Sequence, residues 1–107
     1  MDVPEVDIET FAALRTSGVT VIDVREPHEY EEAHVPGARL IPLGEVPDRA
    51  DEVPEGETVY LVCAVGGRSG RATEHLLGVG RDVVNVAGGT KAWIAAGHPT
   101  VAGTEPE

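Results

Sequence analysis

In the stretch TVYLVCAVGGRSG (residues 58–70) an apolar run ends at a cysteine, passes through a loop with almost no side chains and reaches Arg68-Ser69. The run Thr58 to Cys63 is too short for a buried helix, and its β-branched and aromatic content suits a strand covered on both faces. Such a strand belongs to a parallel sheet, where the chain must return through a crossover, usually a helix. SGRATEHLLGVG (69–80) supplies that helix, with Ser69 as N-cap and Ala72, His75, Leu76 and Val79 on its inner face. Strand, loop and crossover are therefore written consecutively.

The same alternation extends both ways. VTVIDV (19–24) is a second central strand, preceded by a short amphipathic helix in VDIETFAALRTSG (6–18). There Asp7 is the expected N-cap, Ile8, Phe11, Ala12 and Leu14 keep helical spacing, and Gly18 is the stop. In REPHEYEEAHVPGA (25–38) Pro27 starts a helical turn anchored by Tyr30, and Pro36-Gly37 breaks it. RLIPL (39–43) reads as an edge strand cut by Pro42, and the carboxylate-rich segment 44–57 as a surface connection. DVVNV (82–86) is a further buried strand, and AGGTKAWIAAG (87–97) a last helix anchored by Trp93 and stopped at Gly97. The expected fold is a small α/β domain over residues 1–99, with a mainly parallel sheet covered by helices on both faces. Residues 100–107 are expected to form a frayed tail.

Composition narrows the function. A 107-residue chain with 41% hydrophobic residues can bury its own core without a disulfide or a metal. Its single cysteine cannot pair within the chain, and no Cys/His set has zinc-ligand spacing, so neither a metal nor another cofactor is expected. Neither the Walker loop nor the dinucleotide glycine fingerprint fits the glycines. MDVPEVDIET lacks a basic start and an apolar stretch, and no segment approaches membrane-spanning length, so a cytoplasmic protein is expected. With 19 acidic against 8 basic residues the net charge is −11, which points away from nucleic acid and acidic membranes. An anionic substrate must then be attracted locally, because distant surface carboxylates are screened over about 8 Å at physiological salt.

The loop has the means. Cys63 ends its strand at the carboxyl edge of the sheet, where ligands of open α/β sheets bind. Ala64, Val65, Gly66 and Gly67 add no polar side chains, so the polar surface there is peptide N–H. Glycines allow the backbone to curl and turn successive N–H groups inward into an anion nest, and the next helix adds its positive end. A cysteine with a free pKa of about 8.5 is a few per cent thiolate at neutral pH, and a drop of about two units makes the thiolate the majority form. A cysteine serving only as packing would sit inside the VYLV run, so its place at the loop favours chemistry over core.

CAVGGRSG resembles the active-site loop of the rhodanese-like sulfurtransferases, Cys-x-x-Gly-x-Arg-Ser. VIDVREPHEYEEAHVPGA is similar to that family's Asp-Val-Arg and His-Val-Pro-Gly-Ala elements, and NVAGGTKAWIAAGHP to its closing strand and helix. The resemblance implies a five-stranded parallel sheet and a persulfide cycle on Cys63. In that cycle the thiolate takes the outer sulfur of thiosulfate or of a protein persulfide and passes it to cyanide or a thiol. It assigns the loop amides of Ala64, Val65, Gly66, Gly67 and Ser69 to anion binding and Arg68 to anchoring or loop shape. Related folds acting as phosphatases place five residues between Cys and Arg; here there are four, a ring suited to one sulfur atom. Ala33 replaces the family's common glycine before the histidine, and the loop carries one Arg and no Lys. That scarcity of charge makes thiosulfate a weak donor and favours a protein persulfide. A sulfur-relay module docking a basic protein acceptor on the acidic surface is the alternative. Asp23 and Arg25 are expected to fix loops near the site, and His34 to bond the backbone around the Pro36-Gly37 turn.

Overall fold

The computed structural model describes residues 3–107; the first two residues of the expected 1–99 domain lie outside the described residues. The chain forms β1 (Glu5–Val6), α1 (Ile8–Arg15), β2 (Thr20–Asp23), α2 (Pro27–Glu32), β3 (Arg39–Leu40), β4 (Val59–Val62), α3 (Gly67–Gly78), β5 (Val83–Val86) and α4 (Gly89–Ala95). Two single turns of 3-10 helix, Leu43–Glu45 and Ala50–Glu52, occupy the connection between β3 and β4. The sheet runs β1-β5-β4-β2-β3 and every pairing between these strands is parallel. Parallel strands present their carboxyl ends at one edge, so the segments after β2, β4 and β5 meet there.

Central β4 shows how the two layers are specified. Val59, Leu61 and the following Cys63 pack on one side, with Ala72 and Leu76 of α3. Tyr60 and Val62 point the other way, into a cluster with Phe11 of α1, Tyr30 of α2 and Trp93 of α4. This period-2 alternation of apolar residues covers both faces, as the unbroken VYLV run requires. The helix starts follow local chemistry. Asp7 accepts a hydrogen bond from the Thr10 amide at 2.8 Å. At α2 the Glu29 carboxylate accepts from the Glu26 amide at 3.0 Å, and Pro27 opens the helix with a ring that needs no N–H partner. Among the described residues no helix is long and apolar enough to cross a membrane.

Four expectations need correction. Strand β1 is absent from the sequence reading, because two residues carry no periodicity; pairing of Glu5 and Val6 with Asn85 and Val86 makes them a strand. Helix α3 begins at Gly67 with Gly66 as its cap, so Ser69 lies within the first turn and is fully buried. On the same helix His75 and Val79 face outward, and Thr73 takes the inner position. Finally, the segment expected to fray is tied down. Val101 and His34 exchange backbone hydrogen bonds at 2.9 and 3.0 Å, the Gly103 amide donates to the Glu31 carbonyl, and the Gly37 amide donates to the Pro106 carbonyl. The buried His34 ring stacks on Tyr30 and lies between the Tyr30 and Glu105 carbonyl oxygens, 2.7 and 2.9 Å from its nitrogens. The His34 ring is bonded to backbone carbonyls at Tyr30 and Glu105, on either side of the Pro36-Gly37 turn in sequence and not at the turn itself.

Candidate functional site

The loop after β4 takes its shape from the start of α4. The Thr90 amide donates to the Cys63 carbonyl at 2.8 Å and the Lys91 amide to the Ala64 carbonyl at 3.0 Å. In a trans peptide the C=O and the following N–H point in opposite directions. Anchoring these two carbonyls on α4 therefore turns the Ala64 and Val65 N–H groups away from α4. The approach is close enough to demand glycine: a Cβ on Gly89 would lie 2.4 Å from the Cys63 oxygen and 2.7 Å from the Ala64 oxygen. Gly66 then takes φ +109°, closing the ring into α3.

The donors converge on sulfur. The Gly66 amide lies 3.1 Å from Cys63 Sγ and the Ser69 hydroxyl 3.3 Å from it. Cys63 is 1% exposed, which alone would make it an inert core thiol. Burial indeed pushes the thiol up, but the Ser69 hydroxyl and the amides of Ser69, Gly66 and Val65 more than offset it, and the net direction is below the ordinary cysteine value. The sulfur is both sunk at the sheet edge and surrounded by hydrogens aimed at it.

Ser69 has a single proton and two acceptors. Its oxygen is 2.5 Å from Asn85 Oδ1 as well as 3.3 Å from Sγ. The Asn85 amide nitrogen is committed to Glu5 Oε2 and the Gly66 carbonyl, which fixes its oxygen toward Ser69. With a neutral thiol, S–H can donate to Ser69 while Ser69 donates to Asn85; with a thiolate, the Ser69 proton turns to sulfur. Asn85 thus couples β5, β1 and the loop. The sequence reading passed over it as one polar residue in an apolar strand, although an amide inside DVVNV is itself a signal that something buried needs bonding.

The two arginines go elsewhere. Arg68 forms a bidentate pair with Glu29 of α2 at 2.7 and 2.9 Å, and both of the nitrogens in that pair point to the carboxylate and not to the sulfur. Its charge still faces the loop, and the pair holds the Glu29 carboxyl at about 2. Arg25 donates to both oxygens of the fully buried Asp23 and to the Ala33 carbonyl at 2.7 Å, tying the end of β2 to the end of α2. Glu29 was missed in the sequence, where nothing links it to an arginine 39 positions away. Beside the loop lies a cleft of about 240 Å³ lined by Arg25, Glu29, Glu32, Ala33, Ala64, Thr90, Lys91 and Ile94.

The model of the rhodanese-like domain matches residues 8–96. The chain belongs to this family. A sulfurtransferase of Allochromatium vinosum is 36% identical over 104 residues, covering 94% of this chain and 96% of that protein. The thiosulfate sulfurtransferase PspE of Escherichia coli is 47% identical over 72 residues, 65% of this chain and 69% of PspE. YrkF of Bacillus subtilis is 40% identical over 94 residues, 85% of this chain; the chain spans about half, 51%, of that relative's length. Among solved structures, a rhodanese-related protein from Thermoplasma volcanium superposes with a TM-score of 0.85 at 29% identity, covering 95% of this chain and 99% of that one.

Proposed function

We propose that this rhodanese-like domain carries sulfane sulfur on Cys63 as a persulfide. The Cys63 thiolate attacks the outer sulfur of thiosulfate, the sulfur–sulfur bond of the donor breaks, and sulfite leaves with the electron pair. An acceptor thiolate, or cyanide, then attacks the terminal sulfur and Cys63 leaves as the thiolate. One observation carries this reading: the amides of Val65, Gly66 and Ser69 and the Ser69 hydroxyl all lower the cost of negative charge on the same sulfur. A persulfide moves the charge outward by one atom, and a ring of amides follows it better than a single side-chain base. The four-residue spacing between Cys63 and Arg68 adds selectivity in this reading, since so short a loop suits one sulfur atom better than a phosphoryl group. In this reading Arg68, Asp23, Arg25 and His34 hold the loop and its neighbours in place and do not touch sulfur. A lone working thiol suits the reducing cytoplasm.

The second reading, a relay whose donor and acceptor are proteins, rests on exposed apolar residues flanking the site: Val65 is 61% exposed at the loop and Ile94 50% at the cleft. Partner docking would cover them, with basic residues of the partner meeting the acidic surface. Incubation with thiosulfate followed by intact mass measurement decides whether Cys63 carries sulfur. The wild-type chain is expected to gain one sulfur atom and Cys63→Ser none. No gain with thiosulfate, polysulfide or a protein persulfide overturns the proposal. Loading by protein persulfide alone selects the relay.

A further inference from the structure

A sulfane donor such as thiosulfate has two ends, and the loop accounts for only one. Its amides converge on sulfur, leaving the three donor oxygens to be held outside the ring. Arg68 and Arg25 are already committed, Arg68 to Glu29 and Arg25 to Asp23 and the Ala33 carbonyl. Lys91 is different. Its backbone amide on the Ala64 carbonyl fixes it beside the loop, it lines the adjoining cleft, and among the described residues no carboxylate lies within ion-pair distance. Thr90, on the same cleft, is 2% exposed and its hydroxyl has no hydrogen-bond partner. A buried hydroxyl left unpaired costs about 1–3 kcal/mol, so a polar ligand there relieves an existing deficit.

We propose that this cleft is an oxyanion subsite, in which the Lys91 ammonium and the Thr90 hydroxyl hold the sulfonate-like oxygens of the sulfur donor and of the sulfite it releases. The inference rests on the sulfur-transfer reading for its ligand, but anion binding can be measured without transfer. It supplies the second cation that the loop itself lacks: Lys91 lies 28 positions beyond Cys63 and reaches the site only through the packing of α4 on the loop. The cleft's two carboxylates do not cancel it. Glu29 is neutralised by Arg68, and Glu32 is exposed on the rim, where water and salt screen it. In a chain of net charge −11 this local cation decides whether an anionic donor stays near the loop.

The test uses the full chain as Cys63→Ser, so that no sulfur moves, titrated with sodium sulfite and followed by amide NMR. Saturable shifts are expected at Thr90 and Lys91. Lys91→Glu should weaken sulfite binding by about tenfold, the loss of one charge-assisted contact, and Lys91→Arg should restore most of it. Thr90→Val should weaken binding several-fold, whereas Thr90→Ser keeps it; Glu32→Gln should strengthen it modestly. With Cys63 present, Lys91→Glu should lower kcat/KM for thiosulfate, and Lys91→Arg should restore most of it. No saturable sulfite shift at this cleft, or undiminished affinity in Lys91→Glu, overturns the inference. Sulfite binding of the expected pattern combined with failure of Cys63 to load sulfur would sink the transfer reading and leave the subsite standing.

Discussion

Replacing Gly89 with alanine tests how the loop is held. Gly89 has φ +58°, and an added Cβ would sit 2.4 Å from the Cys63 carbonyl oxygen and 2.7 Å from that of Ala64. Both neighbours are backbone and cannot swing aside as a side chain tip could. The left-handed conformation costs a non-glycine residue about 1–2 kcal/mol, and relieving overlap in packed structure about 1–3 kcal/mol more. A total near 3 kcal/mol lowers Tm by roughly 10–25 °C in a domain of this size. The strain relaxes most directly by moving the loop off α4, which breaks the Thr90–Cys63 and Lys91–Ala64 hydrogen bonds. The Ala64 and Val65 peptides are then free to turn, and the Cys63 pKa should rise. Thermal unfolding and a thiol titration read the two effects on the same variant. Gly78→Ala is the control: its φ is not positive and nothing lies within 4 Å of its added Cβ, so it should leave Tm unchanged or slightly higher. A Gly89→Ala protein that melts with the wild type and titrates identically refutes this account of the loop.

Ser69→Ala removes the hydroxyl shared between Sγ and Asn85 and should raise the Cys63 pKa and slow sulfur loading, while Ser69→Thr retains most of both; thiol titration and loading kinetics check it. Glu29 is held at about 2 in the folded chain against about 4.3 unfolded, so its stabilisation is complete above pH 5 and lost as pH falls toward 2. For this partly solvated pair the amount is about 1 kcal/mol, and Glu29→Gln should flatten the acid limb of a stability–pH profile by that much. Deleting residues 101–107 leaves the buried His34 ring without its Glu105 contact and should lower Tm by several degrees, as differential scanning calorimetry would read.

Much of this architecture was legible because it is local. VTVIDV, TVYLVC and DVVNV are strands for the apolar content they carry, and Phe11, Tyr30 and Trp93 anchor helices where spacing placed them. The cysteine loop was legible for the same reason, its strand, glycines and helix being consecutive. What escaped depends on partners far along the chain. Glu5 and Val6 become a strand only beside Asn85 and Val86. Arg68 seemed free for substrate until α2 brought Glu29 to it. The residues after Pro99 were expected to fray as a chain end, yet they are bonded through backbone groups, which leave no mark on side-chain pattern. Lys91 and Thr90 read as an ordinary helix start, and only the close packing that excludes a Cβ from Gly89 places them at the cleft.

Direct titration of Cys63, by thiolate ultraviolet absorbance or by the pH dependence of its alkylation rate, puts the greatest weight on the smallest number of assumptions. The amides and the hydroxyl around the sulfur predict a pKa below that of a free cysteine despite near-complete burial. A value at or above the free-thiol value of about 8.5 would mean that burial wins and that the ring does not hold an anion.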